Sequence, residues 1–122
     1  MESVKILEKF QKSLVSFFDE LIEMFPNEKE FILLRILVKD QIPSIQIMSY
    51  FEQVLANEDV MRSIETKNDK FFLENVLFSK INKSDIFKNL WKNKLDEDDK
   101  KMIWNWVDAF MKMAKSYSSL KK

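Results

Sequence analysis

The chain has 122 residues, a usual length for one domain, and 46% of them are hydrophobic, which is enough to form a core and argues against disorder. It contains no glycine, cysteine or histidine; this excludes disulfides and zinc–thiolate sites and removes the usual general base near neutral pH. The 20 basic and 20 acidic residues cancel, so no net charge attracts the chain to nucleic acid or to anionic lipid.

The first predicted element is a helix over residues 3–24. Its apolar residues recur every three or four positions and share one stripe: Leu7, Phe10, Leu14, Phe17, Phe18, Leu21 and Phe25. Ser3 can cap its start. The Phe25-Pro26 step should end it, because a residue before proline avoids the α region.

The second helix is expected to begin at a capping box formed by Asn27 and Glu30 and to end near Asp40. It is apolar nearly all round, which predicts a central position in the packing. Its apolar residues are Phe31, Leu34, Ile36, Leu37 and Val38.

Pro43 suits the first position of a third helix, where its missing N–H costs nothing. The helical period continues to about Ala56 through Ile45, Met48, Phe51 or Tyr50, Val54 and Leu55. Asn57 then interrupts it, and Val60, Met61 and Ile64 indicate one or two further helical turns.

For residues 66–83, the sequence permits a short helix or an extended segment, and we favour a helical turn with irregular flanks. Ser84 or Asp85 can cap a following helix. Asp96 can cap the last one, which is predicted from Glu97 to about Tyr117. Its stripe consists of Ile103, Trp106, Val107, Phe110, Met113, Ala114 and Tyr117. Residues 118–122 are expected to form a frayed tail.

With no glycine for tight hairpins and only two prolines, helix is the default structure. No internal repeat or linker divides the chain. We therefore predict an all-α fold: a compact, single-domain bundle of five to seven helices over residues 1–122.

No arrangement of residues points to an enzyme, a cofactor or a metal. The acidic run at 96–99 lies at a helix start, where consecutive side chains diverge and instead cap the helix and complement its dipole. The chain is therefore expected to be non-enzymatic, and a metal-dependent activity of the acidic run is the weakest hypothesis.

Two binding hypotheses remain. The first is a protein-interaction or structural module that binds an unidentified protein or forms a homodimer, with its surface around Phe71, Phe72, Trp91 and Trp104. Trp104 lies two residues from Trp106, roughly opposite it on a helix, so it is either buried against another segment or exposed to a partner. The alternative is nucleic-acid binding by the lysines that are interleaved with aromatics in residues 67–94, chiefly Lys80, Lys83, Lys88, Lys92 and Lys94.

No signal peptide is visible, because charged residues interrupt the early sequence, and the longest apolar stretch is too short to cross a bilayer. We expect a soluble, intracellular protein that is not secreted and does not bind membranes.

Several short stretches resemble small helical proteins of nucleocytoplasmic large DNA viruses, of mimivirus- and phycodnavirus-like type. They are residues 17–22 (FFDELI), 25–29 (FPNEK), 70–74 (KFFLE), 90–91 (LW) and 103–107 (IWNWV). The resemblance implies a viral protein acting in the host cytoplasm or the virion, as a virion component or a host-factor binder. It carries over no catalytic residues.

Overall fold

The computed structural model describes residues 2–68 and 95–120. These ranges hold five α-helices and no strand: α1 (Glu2–Met24), α2 (Lys29–Ile36), α3 (Ser44–Leu55), α4 (Glu58–Glu65) and α5 (Glu97–Leu120). A π-helical turn, Leu37–Gln41, continues α2. The predicted all-α bundle is confirmed. The predicted irregular segment from residue 69 onward and the helix predicted to start at Ser84 or Asp85 lie outside the described residues.

Helix α1 is the long helix that the apolar stripe predicted. It ends at Met24, as the Phe25-Pro26 step requires, and the Phe25 amide donates to the Leu21 carbonyl at 2.9 Å. Five stripe residues are buried, namely Phe10, Leu14, Phe17, Phe18 and Leu21. The predicted cap at Ser3 is wrong, because the helix already includes Glu2.

The core lies where α1, α3 and α5 pack against one another. Phe110 of α5 is its aromatic centre, with ring centroids 5.9 Å from Phe10, 5.5 Å from Phe17 and 5.8 Å from Phe51. All four rings are at most 1% exposed. This cluster joins the three helices through contacts between residues distant in sequence.

Helix α5 begins where Asp96 was predicted to cap it, but it is longer than expected. It continues to Leu120, and the Ser118 hydroxyl donates to the Glu52 carboxylate of α3 at 2.7 Å. The frayed-tail prediction is therefore wrong for residues 118–120, because this hydrogen bond and the buried Tyr117 hold the last turn on α3 and the core.

Two predicted features of α2 are also wrong. The helix begins at Lys29 with Glu28 in the capping position and no side-chain cap, so the Asn27 and Glu30 capping box does not form. Nor is α2 central. It packs mainly on α1, and it leaves Ile32 and Leu33 exposed.

Helix α3 starts one residue later than predicted, with Pro43 in the capping position and Ser44 as the first helical residue. The predicted stripe is confirmed at Met48, Phe51 and Val54, which are at most 8% exposed, but not at its start. Ile47 is 1% exposed, whereas Ile45, assigned to the core from its spacing, is 53% exposed. Ile45 thus lies beside the buried face of α3 and is exposed to solvent.

Helix α4 supplies the short turns predicted after Asn57, whose side chain accepts from the Val60 amide at 3.2 Å. Its other end is a Schellman motif: the Asn68 amide donates to the Ser63 carbonyl at 2.8 Å and the Lys67 amide to the Ile64 carbonyl at 3.1 Å. Lys67 has φ of 54°, the left-handed conformation that glycine usually supplies.

Candidate interaction surface

The second helix and its π-helical turn present two opposite faces. Phe31, Leu34 and Val38 are at most 2% exposed and pack into the core. At about 100° per residue, Ile32, Leu33 and Ile36 lie on the other side of the same helix. These three are 42%, 48% and 42% exposed. We call them the α2 apolar face.

The α2 apolar face stands on a well-supported helix. Arg35 forms an ion pair with Asp19 of α1. The Gln11 side-chain amide of α1 donates to the Lys39 carbonyl at 3.0 Å and to the Val38 carbonyl at 3.3 Å. These bonds satisfy carbonyl groups at the end of the helical run, which otherwise lack partners within it. The exposed face is therefore presented by a helix fixed at its middle and at its end.

Charged residues border the α2 apolar face at both ends. Lys29 and Glu30 stand at the first turn of α2, and Lys39 and Asp40 stand in the π-helical turn. All four are exposed, and none takes part in an ion pair within the described parts of the chain. An apolar strip with a polar border is typical of protein-interaction surfaces.

The structure places only one residue of the predicted partner surface, Trp104. It is 6% exposed, so the burial alternative is the observed one, and its prediction as an exposed anchor is corrected. Lys67 contributes to this burial: its ammonium lies 5.5 Å from the ring centroid and forms an ion pair with Asp108 one turn further along α5. Phe71, Phe72 and Trp91 lie outside the described residues. The same holds for the lysines of the nucleic-acid hypothesis, Lys80, Lys83, Lys88, Lys92 and Lys94.

Trp106, expected to be fully in the core, is instead partly exposed. Its indole N–H donates to the Glu20 carboxylate of α1 at 3.1 Å, and its ring stacks on Phe110 with centroids 5.8 Å apart. It lines an open groove of about 460 Å³ together with Glu20, Asp98 and Lys101. The tryptophan thus joins α1 to α5 at the edge of the core, with its polar atom satisfied.

The acidic run at the start of α5 forms a cap. The Asp99 amide donates to the Asp96 carboxylate at 2.8 Å, and the Asp96 amide donates to the Asp99 carboxylate at 3.4 Å. This reciprocal arrangement is a capping box with aspartate at both positions. Across residues 2–68 and 95–120, no group of three or more acidic side chains is placed to hold a metal ion.

No described helix has both the length and the apolar character needed to cross a bilayer. Comparison with protein-family profiles, with curated proteins and with solved structures found no match to this chain.

Sequence reasoning missed the α2 apolar face, although the signal was present. A helix that is apolar nearly all round needs neighbours on every side, and it was therefore assigned to the centre. In the structure α1 covers one face of α2, and the opposite face is exposed.

Proposed function

We propose that this protein is a non-enzymatic helical interaction or structural module that binds a protein partner through the α2 apolar face. One observation carries the proposal: Ile32, Leu33 and Ile36 form a contiguous exposed strip on a helix whose opposite face is fully buried. Single exposed aliphatic residues are ordinary, but three on one face of a helix are typical of helix-mediated recognition.

The size of the effect suits a binding surface. Burying a leucine or isoleucine side chain completely contributes roughly 1.5–3 kcal/mol, in proportion to the area removed from water. Each of the three residues has more than two fifths of its area left to bury, so a partner that covers the face gains about 2–4 kcal/mol in total. Association costs at least as much in lost freedom. The strip therefore serves as the apolar centre of a larger interface with polar contacts around it.

The resemblance to small proteins of large DNA viruses suggests the setting for this role. We propose a virion component or a binder of a host factor, acting in the host cytoplasm or the virion. The predicted surface around Phe71, Phe72 and Trp91 stays a prediction, as does nucleic-acid binding by the lysines between 80 and 94.

Site-specific photo-crosslinking tests the proposal. A photoreactive residue replaces Leu33 in one variant and Leu120, which has the same exposure at 49% but lies on α5, in a control. Both variants are irradiated in a lysate of the cells that express them, where other proteins are present, and again after purification, where only a second copy is present. We expect a discrete adduct from position 33 and none from position 120, because only the α2 apolar face is held against a partner. Absence of any adduct at position 33, or equal adducts at both positions, would overturn the proposal.

A further inference from the structure

We infer that the partner of the α2 apolar face is a second copy of this chain, bound with the two α2 helices antiparallel about a two-fold axis. This inference rests on the proposed function, since it names the partner of the same surface. It is carried by the order of the charges along the helix, which is complementary to itself when reversed.

The twelve residues from 29 to 40 read KEFILLRILVKD. Reversing this string places Lys29 against Asp40 and Glu30 against Lys39, so four of the five charges face an opposite charge. The fifth, Arg35, falls against Leu34 and is paired with Asp19 of α1. It also places Leu33 against Ile36 and Ile32 against Leu37, so apolar residues meet apolar residues. The midpoint falls between positions 34 and 35. Outside its central pair, Leu34 and Arg35, the run is a palindrome in hydrophobicity and an inverted palindrome in charge.

A two-fold axis that passes between two antiparallel α2 helices, level with that midpoint and perpendicular to both, turns this pattern into an interface. In such isologous contacts, residue i of one copy meets residue j of the other, and j meets i. Positions 29 and 40 are about 16 Å apart along a helix with a 1.5 Å rise. Lys29 of each copy then lies over Asp40 of the other, at both ends of the shared apolar strip. A parallel in-register pair would instead bring Lys29 onto Lys29 and Asp40 onto Asp40.

The placement of Lys29 and Asp40 supports this arrangement. Lysine in the first turn of a helix and aspartate in its last turn oppose the helix dipole, which favours the reverse placement. Neither side chain forms an ion pair within residues 2–68 and 95–120. Among the described residues both charges thus lack an ion-pair partner, and both gain partners of opposite sign in the antiparallel pair.

Sedimentation equilibrium of the full chain, from about 10 µM to about 1 mM, measures the association. We expect the mass to rise with concentration toward twice the 14.7 kDa of one chain. The double variant Leu33→Gln with Ile36→Gln should raise the dissociation constant at least tenfold. The matched control, Val4→Gln with Leu120→Gln, changes one β-branched residue and one leucine of similar exposure (48% and 49%) and should leave it unchanged.

Charge exchange tests the antiparallel geometry. Lys29→Glu alone, or Asp40→Lys alone, replaces two attractive pairs by two repulsive ones and should weaken the dimer roughly tenfold at low salt. The double variant Lys29→Glu with Asp40→Lys restores opposite charges and should return the dissociation constant to within about threefold of the wild type. Both substitutions suit the helix dipole, and circular dichroism checks that each variant is folded.

The outcomes separate the two proposals. A wild-type chain that stays monomeric to about 1 mM, a dimer indifferent to the Gln substitutions, or a charge-exchanged variant no better than the single ones overturns the homodimer. If position 33 nevertheless crosslinks to a different protein in lysate, the proposed function stands with another partner. If the chain is monomeric and position 33 yields no adduct, both proposals fail.

Discussion

Replacing Phe110 by alanine should remove the centre of the core. The ring is fully buried and packs against Phe10, Phe17 and Phe51 at centroid distances of 5.5–5.9 Å. Truncating a buried phenylalanine costs about 3–5 kcal/mol, through lost transfer free energy and the cavity left behind. The upper half of that range is expected here, because edge-to-face ring pairs add roughly 0.5–1.5 kcal/mol beyond their buried area.

That loss is large against the whole free energy of unfolding. At roughly 0.05–0.15 kcal/mol per residue, a chain of this length is stable by about 6–18 kcal/mol. Phe110→Ala should therefore remove at least about a quarter of the free energy of unfolding, and most of it if the protein is only marginally stable. The melting temperature should fall by at least about 10 °C. Phe110→Leu, which keeps most of the volume, should cost clearly less.

Urea unfolding followed by far-ultraviolet circular dichroism measures the difference, with the slope of the transition checked for a change in the unfolded state. Leu120→Ala is the matched control, since that side chain is half exposed. It should cost under about 1 kcal/mol. A cost for Phe110→Ala below about 1.5 kcal/mol, or equal to that of the control, would refute the aromatic core centred on this residue.

Three further substitutions test other parts of the structure. Leu33→Gln with Ile36→Gln should change the unfolding free energy of the monomer by less than about 1 kcal/mol, measured by dilute urea titration, and a loss above 2 kcal/mol would show that the face is buried within one chain. Asp96→Ala removes the acceptor that caps α5 and should cost about 1 kcal/mol in the same titration, while an unchanged stability would contradict the cap. Trp106→Phe keeps an aromatic ring at this position but removes the indole N–H that donates to Glu20; a cost of at least about 0.5–1.5 kcal/mol in thermal unfolding is expected, with no change counting against that bond.

The long helices could be read from the sequence because local signals and packing agree there. The stripe of α1 is continuous and Pro26 ends it, and Asp96 marks the start of α5. At such positions a proline or a capping side chain defines the end of a helix through local interactions alone. The lack of glycine for hairpin turns favoured helix over sheet, and residues 2–68 and 95–120 contain no strand.

The burial of individual residues beside these stripes could not be read in the same way. Trp104 and Trp106 lie on nearly opposite sides of α5, and both are large and apolar enough for the core. Trp104 is the buried one, and Lys67 lies over its ring from a position distant in sequence. No local pattern contains that contact.

The α2 apolar face was missed for a related reason. Hydrophobicity on all sides of a helix shows that each side needs a neighbour, but not whether the neighbour belongs to the same chain. The prediction of a central α2 assumed that other helices of the same chain cover all of its sides. Lys29 and Asp40, which stand against the helix dipole, are the sequence feature on which the proposed second copy depends.

The left-handed Lys67 has a consequence for the order in which the chain folds. A residue with a Cβ is strained in this conformation by roughly 1–2 kcal/mol, so an isolated α4 has little reason to end in this way. The contacts of Lys67 with Trp104 and Asp108, which offset the strain, exist only once α5 is in position. We therefore expect the Schellman motif at the end of α4 to form late in folding, after α5 has packed against it. A peptide of residues 57–68 should lack this motif in NMR spectra.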